Sequence, residues 1–359
     1  MSLNKEHIQR VVAKAMLSPS GDNSQPWIFQ WDGTTLNVIH QESRGSHPLN
    51  PAGIASMISF GCVLEAIAIG ASEFRCSTSF TLEDFASGDS TWARVRFGPS
   101  TCALDPLSDV ISQRTTDRRF FAKGDLPVTM LQSIAANEHH YAPARIHWTS
   151  ELEGELTDYI LDAEKIMMTH PDILPAVLKW VRFTLKQARL TRDGLSWRNM
   201  GIKIWELPAM ALIREFPGIL KFLTNFTVPG HRARVRKQLQ SSAGVVLISI
   251  PATKGNFKDV VQAGRLMMRT WLSLTQLNYG VQPLTLCTHP IYWARQGLLD
   301  AEFQKIAHIY ESGHSLLQKV FSLPPDRVPV WMIRTGRSTP LPENMRTFRR
   351  PVEQTLKYI

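Results

Sequence analysis

Cysteine is scarce in this sequence, and no segment has the residue spacing of a metal site. The four cysteines, Cys62, Cys76, Cys102 and Cys287, lie far apart and form no CxxC pair. Eleven histidines are present, but none belongs to an HExxH segment or a Cys/His knuckle. These absences exclude a disulfide framework and a zinc site of the usual kinds. We therefore expect reduced, mostly buried thiols, no bound metal and a cytoplasmic location.

Long uninterrupted apolar runs are also absent. A membrane-spanning helix needs about 20 consecutive apolar residues, and no segment of the chain is that long. The first residues, MSLNKEHIQRVVAKAM, have no apolar core followed by a small-residue cleavage site, so we expect no secretion signal and no membrane span. Hydrophobic residues make up 43% and charged residues 20% of the 359 residues, which is typical of a globular protein with one large or two smaller domains.

Positive charge is concentrated in one part of the chain. The net charge is +9, and residues 182–237 contain twelve lysines and arginines against three acidic residues, an excess equal to that of the whole chain. Such a segment is typical of a solvated helical face, and also of a surface that attracts anionic lipid, nucleic acid or a phosphorylated cofactor such as NADPH. Because it has neither an aromatic-and-glycine RNA motif nor a zinc finger, we expect no nucleic-acid partner.

Hydrophobic periodicity indicates the elements of the first part of the chain. A helix is predicted over residues 4–17, and it ends at the proline and glycine of SPSGDNSQP. A hairpin follows, with strands WIFQW and TLNVIH around a turn at 32–33. Residues 53–74 predict a long helix that is apolar nearly all round and therefore buried. Alternating residues near 77–82 and 92–97 indicate two more strands.

A second unit begins at the proline of the Asp105-Pro106 pair. We expect its second long apolar helix to end at Gly280 as a C-cap. The predicted elements of this unit are a helix (VTMLQSIAANEHH), a strand (ARIHW), a basic helical segment at 153–237, a buried strand at 244–250, the apolar helix at 259–279, a last strand at 329–336 and a charged tail at 343–359.

Two features occur twice in the sequence. The apolar helix around Gly61 matches the one around Gly264, and the first helix with its PWIFQW strand is echoed by MLQSIAANEHHYAPARIHW. Each half then consists of a helix, a strand pair and a long core helix. The sequence therefore predicts a degenerate duplication.

Three polar segments have the residue types that a phosphorylated, planar ligand requires. Residues 18–27 (SPSGDNSQPW) form a tight turn that can present the amides of Asn23 and Gln25 to the edge of a heteroaromatic ring. Residues 114–119 (RTTDRR) place guanidinium groups beside hydroxyls, which matches a phosphate. Residues 280–285 (GVQPLT) can bring backbone N–H groups from the end of a core helix to a ligand. Taken singly, the first segment is more typical of a polar turn after a helix and the third of a structural turn, whereas the second is equally typical of a surface ion-pair turn.

Taken together, PSGDNSQPW, RTTDRR and the pattern GRL…WLSLT…YGVQPLT resemble the signature segments of the FMN-dependent nitroreductase superfamily. The resemblance extends in patches over nearly the whole chain. It implies an α+β, nitroreductase-like fold in which central, mostly antiparallel sheets are flanked by helices. It also implies FMN as the cofactor.

The resemblance implies a role for each matching segment. The arginine-rich segment holds the FMN phosphate and the polar edge of the ring, and its matching residues are Arg114, Thr116 and Arg118. The PSxxN segment, here Ser18, Pro19, Ser20 and Asn23, faces the isoalloxazine, and the loop after the second core helix, here Pro283, Leu284 and Thr285, lies near the reactive ring nitrogen. A C-terminal basic pair, here Arg334 and Arg337, also faces the phosphate.

Each half lacks one of the motifs that the other has. The first half has no arginine-Ser/Thr-x-arginine segment, and the second half reads NEHHYAP at 137–143, where PSxxN would recur. This predicts an intramolecular pseudo-dimer with one flavin site per chain. The chain is then either a monomer or a subunit of a higher homo-oligomer. The halves are residues 1–105 and 106–359, the second with a basic insert at about 174–237. A tandem subgroup of the superfamily has this arrangement, and it includes stress-induced proteins thought to sequester flavin beneath a lid.

Two functions are compatible with this interpretation. In the first, NAD(P)H reduces the flavin, which then reduces a small-molecule acceptor such as a nitroaromatic or a quinone in a ping-pong reaction, and no catalytic side chain is required. His289 and Trp293 are candidate pocket residues, although ordinary core or surface packing is the more usual explanation for both. In the second function, the basic insert covers the flavin as a lid and excludes NAD(P)H, so that the protein stores FMN or senses redox state.

Overall fold

Two separate β-sheets, with helices between and around them, organise the chain. The computed structural model describes residues 3–85, 88–99, 101, 103–122 and 124–359. The helices are α1 (Lys5–Ala15), α2 (Glu42–Gly45), α3 (Ile54–Ser72), α4 (Val128–Ala136), α5 (Glu155–Thr169), α6 (Ile173–Trp180), α7 (Leu185–Thr191), α8 (Trp197–Met200), α9 (Leu207–Glu215), α10 (Leu220–Gln240), α11 (Phe257–Gln276), α12 (His289–Gln296), α13 (Ala301–Lys305), α14 (Ala307–Phe321) and α15 (Val352–Thr355). The strands are β1 (Trp27–Trp31), β2 (Thr35–His40), β3 (Cys76–Leu82), β4 (Ser90–Pro99), β5 (Arg145–Thr149), β6 (Val181–Arg182), β7 (Leu195–Ser196), β8 (Gly244–Pro251), β9 (Tyr279–Pro283), β10 (Arg327–Arg337) and β11 (Leu356–Tyr358).

The first sheet has the strand order β11-β1-β2-β4-β3. The predicted hairpin is confirmed, with Trp27 opposite His40 and Trp31 opposite Leu36. Strand β1 alternates between buried and partly exposed residues, as expected for a strand with one face on the core. Helix α1 packs against α3, and its N-cap Asn4 accepts a hydrogen bond from the His7 backbone N–H.

The second sheet has the order β5-β8-β10-β9, and all its pairings are antiparallel. Its strand β8 is buried over nearly its whole length, where it lies between β5 and β10 in the sheet and α11 packs against it. The fold is therefore α+β, with mostly antiparallel sheets flanked by helices, as the sequence predicts. The strands of the first sheet come from residues 27–99 and 356–358, and those of the second come from residues 145–337.

Helices α3 and α11 cross at Gly61 and Gly264, the two glycines that the predicted duplication aligns. A Cβ atom added to Gly61 would overlap the Val261 carbonyl oxygen and come within 2.7 Å of the Gly264 Cα. A Cβ added to Gly264 would overlap the Ile58 carbonyl oxygen. Only glycine permits two helix backbones to approach this closely. The first half of the chain therefore packs on the second through a backbone contact.

A buried ion cluster lies on the same helix pair. The Glu65 side chain on α3 is 1% exposed and accepts from Arg269 at 2.6 Å and from Arg265 at 3.2 Å, both on α11. Arg269 also pairs with Asp105 at 2.7 Å, and the Tyr141 hydroxyl donates to Glu65 at 3.0 Å. Each buried charge thus has a partner, which is the condition for burying charge without a large cost.

The basic insert forms a helical layer with its own small core. Its elements are α6 to α10 and the two-stranded pair of β6 and β7. Leu174, Leu178, Val181, Ile213 and Leu220 are buried together in a cluster separate from the main core. The insert is therefore folded against the rest of the chain rather than being an extended loop.

The structure corrects two predictions made near the end of the chain. Helix α11 ends at Gln276, and the turn is made by Asn278 at φ 61°, so Gly280 is not a C-cap but part of strand β9. The residues after 343 are not a free charged tail. They pack along the molecule and end in β11, which pairs in parallel with β1 of the first sheet.

Three of the cysteines, Cys62, Cys76 and Cys287, are buried free thiols, and Cys102 lies outside the described residues. Among the described residues, one helix, Pro51–Ser72, is long and apolar enough to cross a membrane. However, 78% of its most apolar window is buried inside the molecule, where it packs on α1 and α11. Burial of this kind is typical of a core helix.

The helix crossing leads to a stability prediction. Gly61→Ala or Gly264→Ala forces the two backbones apart, and we expect either change to lower the free energy of unfolding by about 1–3 kcal/mol. The matched control is Gly218→Ala, where an added Cβ meets nothing within 4 Å, so we expect a change within about 0.5 kcal/mol. Denaturant unfolding measures both. Equal stability of the Gly61→Ala variant and the control would show that the crossing is not a tight contact.

Candidate functional site

A cavity of about 240 Å³ lies between α3, α11, the turn after α1, the RTTDRR segment and the insert. Helices α3 and α11 contribute Ile58, Ser59, Met267 and Trp271 to its wall. The wall also contains seven of the residues that the sequence singled out, namely Pro19, Ser20, Thr116, Arg118, Pro283, Thr285 and His289. The tertiary structure therefore brings all three polar segments to one place.

The turn after α1 has an unusual backbone. Asp22, Asn23 and Gln25 have positive φ values of 49°, 56° and 53°, a region that non-glycine residues seldom adopt. Such strain persists only where the surroundings hold it, and it is frequent at functional sites. The turn exposes Pro19, Ser20 and Asp22 to the cavity.

The amides of this turn have a different role from the one predicted. Asn23 Nδ2 donates to the Gly194 and Phe348 carbonyl oxygens, both at 2.9 Å. Gln25 Nε2 donates to the Arg192 carbonyl oxygen at 3.0 Å. Neither residue is part of the cavity wall. The two amides instead tie the turn to the insert and to the C-terminal segment, and so hold the strained backbone in place.

The RTTDRR segment runs beside strand β9 in an extended conformation. The Asp117 N–H donates to the Val281 carbonyl oxygen at 2.9 Å, and Asp117 forms an ion pair with Arg119 at 2.8 Å. Because side chains alternate along an extended chain, Thr116 and Arg118 face the other way, into the cavity. Arg118 also donates to Asn199 Oδ1 of the insert at 2.5 Å.

Arg114 lies behind the cavity wall with donors that remain unused. Its side chain is buried, donates to the Leu17 carbonyl oxygen at 2.9 Å and stacks 4.5 Å above the ring of Trp271, which lines the cavity. Its Nε and Nη1 atoms have no hydrogen-bond partner among the described residues, and neither has the buried hydroxyl of Ser18. Burial lowers the pKa of Arg114 to about 10, so the guanidinium is still charged at neutral pH.

Two arginines of the C-terminal segment add their charge to that of Arg114. The positive charge of Arg346 lowers the pKa of Arg114. Burial, together with the positive charge of Arg114, lowers the pKa of Arg349 to about 9. Within the described part of the chain, no carboxylate forms an ion pair with Arg114, Arg346 or Arg349. The Nε atoms of Arg346 and Arg349 also have no hydrogen-bond partner there. We call Ser18, Arg114, Arg346 and Arg349 the cationic recess. Arg114 is buried and Arg346 and Arg349 are half-buried. Charge that is withdrawn from water without a partner is costly, so this recess is suited to an anion.

The predicted C-terminal basic pair lies elsewhere. Arg334 is fully buried beneath Phe121, and its guanidinium donates to Gln282 Oε1 and the Arg119 carbonyl oxygen, both at 2.8 Å. Arg337 lies over the Tyr279 ring. Neither arginine lines the cavity. The sequence contains a second basic pair nine to fifteen residues further on, in RTFRR, and this is the pair that approaches Arg114.

Of the remaining predicted residues, Leu284 and Trp293 are buried beside the cavity but do not line it. His289 does line it, between Trp293 and Trp331 at ring distances of 5.8 and 5.6 Å. Burial lowers the pKa of His289 to about 3, so the imidazole is neutral. Its Nε2, like the indole nitrogens of Trp271 and Trp331, has no partner among the described residues. Aromatic walls with a few free polar atoms are typical of sites for planar ligands.

Acidic groups in the cavity were not predicted from the sequence. Glu164 on α5 lies in the wall, and burial raises its pKa to about 7 against the opposing charge of Arg118. Asp22 and His47 are 3.2 Å apart, and burial raises the pKa of Asp22 and lowers that of His47. Glu164 lies outside every motif, so only its place in the fold identifies it.

The insert forms one side of the cavity. Val177 and Trp180 on α6 and Met200 on α8 line it, together with Glu164 and Met167 on the preceding helix α5. The Asp193 carboxylate of the insert binds Arg44 at 2.7 Å, and Arg44 also lines the cavity. The insert is thus fixed to the cavity rim by an ion pair.

No protein-family model matches this chain, and no curated protein matches it in sequence. Solved structures do match. The FMN-dependent nitroreductase NfnB from Mycobacterium smegmatis in complex with NADPH is 13% identical, with a TM-score of 0.37 over 70% of this chain and 96% of that one. An FMN-bound nitroreductase from Desulfitobacterium hafniense is 12% identical, with a TM-score of 0.36 over 71% of this chain and 98% of that one. An iodotyrosine deiodinase bound to FMN and 3-iodo-L-tyrosine is 16% identical, with a TM-score of 0.34 over 68% and 94%.

Both nitroreductases carry the name of the superfamily that the sequence motifs resemble. At these identities and TM-scores the likeness carries no argument about activity. The chain is therefore similar to FMN-dependent nitroreductases, and its own cavity residues have to support any function assigned to it.

Proposed function

We propose that the chain is an FMN-binding oxidoreductase whose cavity holds one flavin. The observation that supports this most strongly is the cationic recess, because the buried Arg114 guanidinium lies against Trp271 of the aromatic cavity wall with two unused donors, and the charges of Arg346 and Arg349 act on it or are acted on by it. A phosphate is the anion whose geometry suits several guanidiniums at once. A planar ring system suits the indole and imidazole groups of the wall.

In this proposal each group of residues has one task. Arg114, Arg346 and Arg349 hold the phosphate, with the Ser18 hydroxyl as a further donor. Thr116 and Arg118, which face into the cavity, hold the polar edge of the ring. The insert and the aromatic residues exclude water, which strengthens the electrostatic interactions inside the cavity.

When bound, FMN supplies the hydride chemistry between NAD(P)H and a small acceptor such as a nitroaromatic or a quinone. The protein then has to bind and orient the reactants and to manage protons. Glu164, with a pKa of about 7, can hold or release a proton inside the cavity at neutral pH. His289 is neutral and offers a hydrogen bond rather than a charge.

A second candidate function is FMN storage or redox sensing without turnover. The observation that favours it is the contribution of the insert to the cavity wall, with Asp193 paired to Arg44 at the rim. A wall held in this way limits access for a second nucleotide. Both functions require FMN, and they differ in whether NAD(P)H reaches it.

The first prediction concerns FMN affinity. We expect Arg114→Gln, Arg118→Gln and Arg349→Gln each to weaken FMN binding about tenfold or more, because each removes charge-assisted hydrogen bonds. Titration of the purified protein with FMN, followed by quenching of flavin fluorescence, measures the change. The matched control is Arg236→Gln on α10, whose side chain is 50% exposed, pairs with Asp158 on α5 and does not line the cavity. Wild-type affinity in all three variants, with folding confirmed by circular dichroism, would exclude this site.

The second prediction distinguishes the two functions. In anaerobic titration of the FMN-loaded protein, we expect NADH or NADPH to bleach the flavin absorbance and a quinone or nitroaromatic to restore it. Bleaching by dithionite but by neither nucleotide would favour storage. A protein that retains no FMN after reconstitution contradicts both functions.

The third prediction concerns pH. Glu164 is neutral below its raised pKa of about 7 and negative above it. The new charge opposes that of Arg118 and repels the anionic cofactor, so we expect FMN binding to weaken as the pH rises through 7. Glu164→Gln should remove this dependence, whereas Glu155→Gln, an exposed change on the same helix, should keep it. Identical pH profiles for wild type and Glu164→Gln would show that Glu164 does not act on the site.

A further inference from the structure

A group of large apolar side chains is exposed on the outer side of the insert. Trp205 is 70% exposed, Phe216 65%, Phe222 69% and Phe226 81%. Ile204 beside Trp205 is 67% exposed. We call these five residues the aromatic face. Single exposed apolar residues are common, but five within 23 residues are not, and such a concentration is typical of an interaction surface.

The aromatic face spans the turn before α9, the turn between α9 and α10, and the first turns of α10. Phe216 follows directly on α9, and Phe222 and Phe226 are one helical turn apart on α10. The opposite sides of the same helices are already satisfied, because Ile213 and Leu220 are buried in the small core of the insert. The exposed rings are therefore not needed to hold the helices together.

Lysines accompany the exposed rings. The Lys203 ammonium lies 5.0 Å from the centre of the Trp205 ring, and the Lys221 ammonium lies 4.9 Å from the centre of the Phe222 ring. An aromatic ring with a long cationic side chain beside it is the combination found where a protein meets the boundary between lipid headgroups and acyl chains.

The acidic residues of the segment do not neutralise this charge. Asp193 pairs with Arg182 and Arg44, and Glu215 pairs with Arg214. The Glu206 carboxylate accepts from the Lys203 backbone N–H at 2.7 Å, where it caps the short helix that follows. Arg182, Arg214, Arg232 and Arg236 form ion pairs, and the other eight of the twelve basic residues of 182–237 form none within the described part of the chain, so the surface still complements an anionic partner.

We propose that the aromatic face docks on the surface of a lipid bilayer that contains anionic lipids. The rings enter the interfacial region, while the lysines and arginines around them contact the lipid headgroups. A second copy of this chain is a poor occupant, because it would bring an equally basic surface against this one. This proposal does not depend on flavin binding, since none of the five residues of the aromatic face lines the cavity.

Vesicle flotation with the full chain tests the proposal. The probes are vesicles of phosphatidylcholine alone and vesicles of equimolar phosphatidylcholine and phosphatidylglycerol. We expect the protein to float with the mixed vesicles, to remain below with phosphatidylcholine alone, and to be released at high salt, since salt screens surface charge. The result is expected with and without FMN.

Variants identify the surface. Trp205→Ser and Phe222→Ser should each reduce partitioning about tenfold, because each removes an apolar group from the lipid. Lys203→Gln and Lys221→Gln should each reduce it about fivefold. The matched controls are Leu104→Ser, at a leucine that is 54% exposed outside the insert, and Lys254→Gln, at an exposed lysine outside it, and both should float like wild type.

Three results would overturn the proposal. The first is no flotation with either vesicle. The second is equal flotation of wild type and all four variants, Trp205→Ser, Phe222→Ser, Lys203→Gln and Lys221→Gln. The third is a dimer in solution that Phe222→Ser dissociates, measured by sedimentation, which would show that a second copy covers this surface. Because flavin retention is measured separately, failure here leaves the proposed FMN site unaffected, and the reverse also holds.

Discussion

The contact between α3 and α11 at Gly61 and Gly264 is the constraint on which the other features depend. It brings a helix from each half of the chain to backbone contact, so each sheet is fixed relative to the other. The same two helices supply Ile58 and Trp271 to the cavity wall. A larger residue at either glycine would therefore move the two sides of the cavity as well as weaken the core. The stability of the fold and the shape of the site rest on one crossing.

The buried charges beside α3 and α11 fall into two groups, one paired and one without partners. Glu65 has arginine partners within 3.2 Å, and the group is internally neutralised. Arg114 is buried as well, yet its neighbours Arg346 and Arg349 are also cations and its Nε and Nη1 have no partner among the described residues. Buried ionisable groups without partners are concentrated at functional sites. An anionic ligand is the simplest source of the missing partner.

The insert connects the inside of the molecule with its surface. Its inner residues Val177 and Trp180 wall the cavity, its middle layer is a small core of its own, and its outer residues Trp205 and Phe222 are exposed. The amides of Asn23 and Gln25 and the ion pair of Asp193 fasten it to the first half. Whatever binds to the outer surface therefore meets a layer that is continuous with the cavity wall.

The sequence by itself determined the elements and the residue types of the site. Periodicity located the hairpin and both core helices, and the three motifs named six residues of the cavity wall, with His289 as a seventh predicted outside them. It could not show that Arg346 and Arg349, rather than Arg334 and Arg337, are the arginines whose charges interact with that of Arg114, because this depends on how the C-terminal segment packs back across the molecule. Glu164 also belongs to no motif, and burial beside Arg118 raises its pKa. Local patterns fix secondary structure, whereas the distances between charges far apart in the chain exist only after folding.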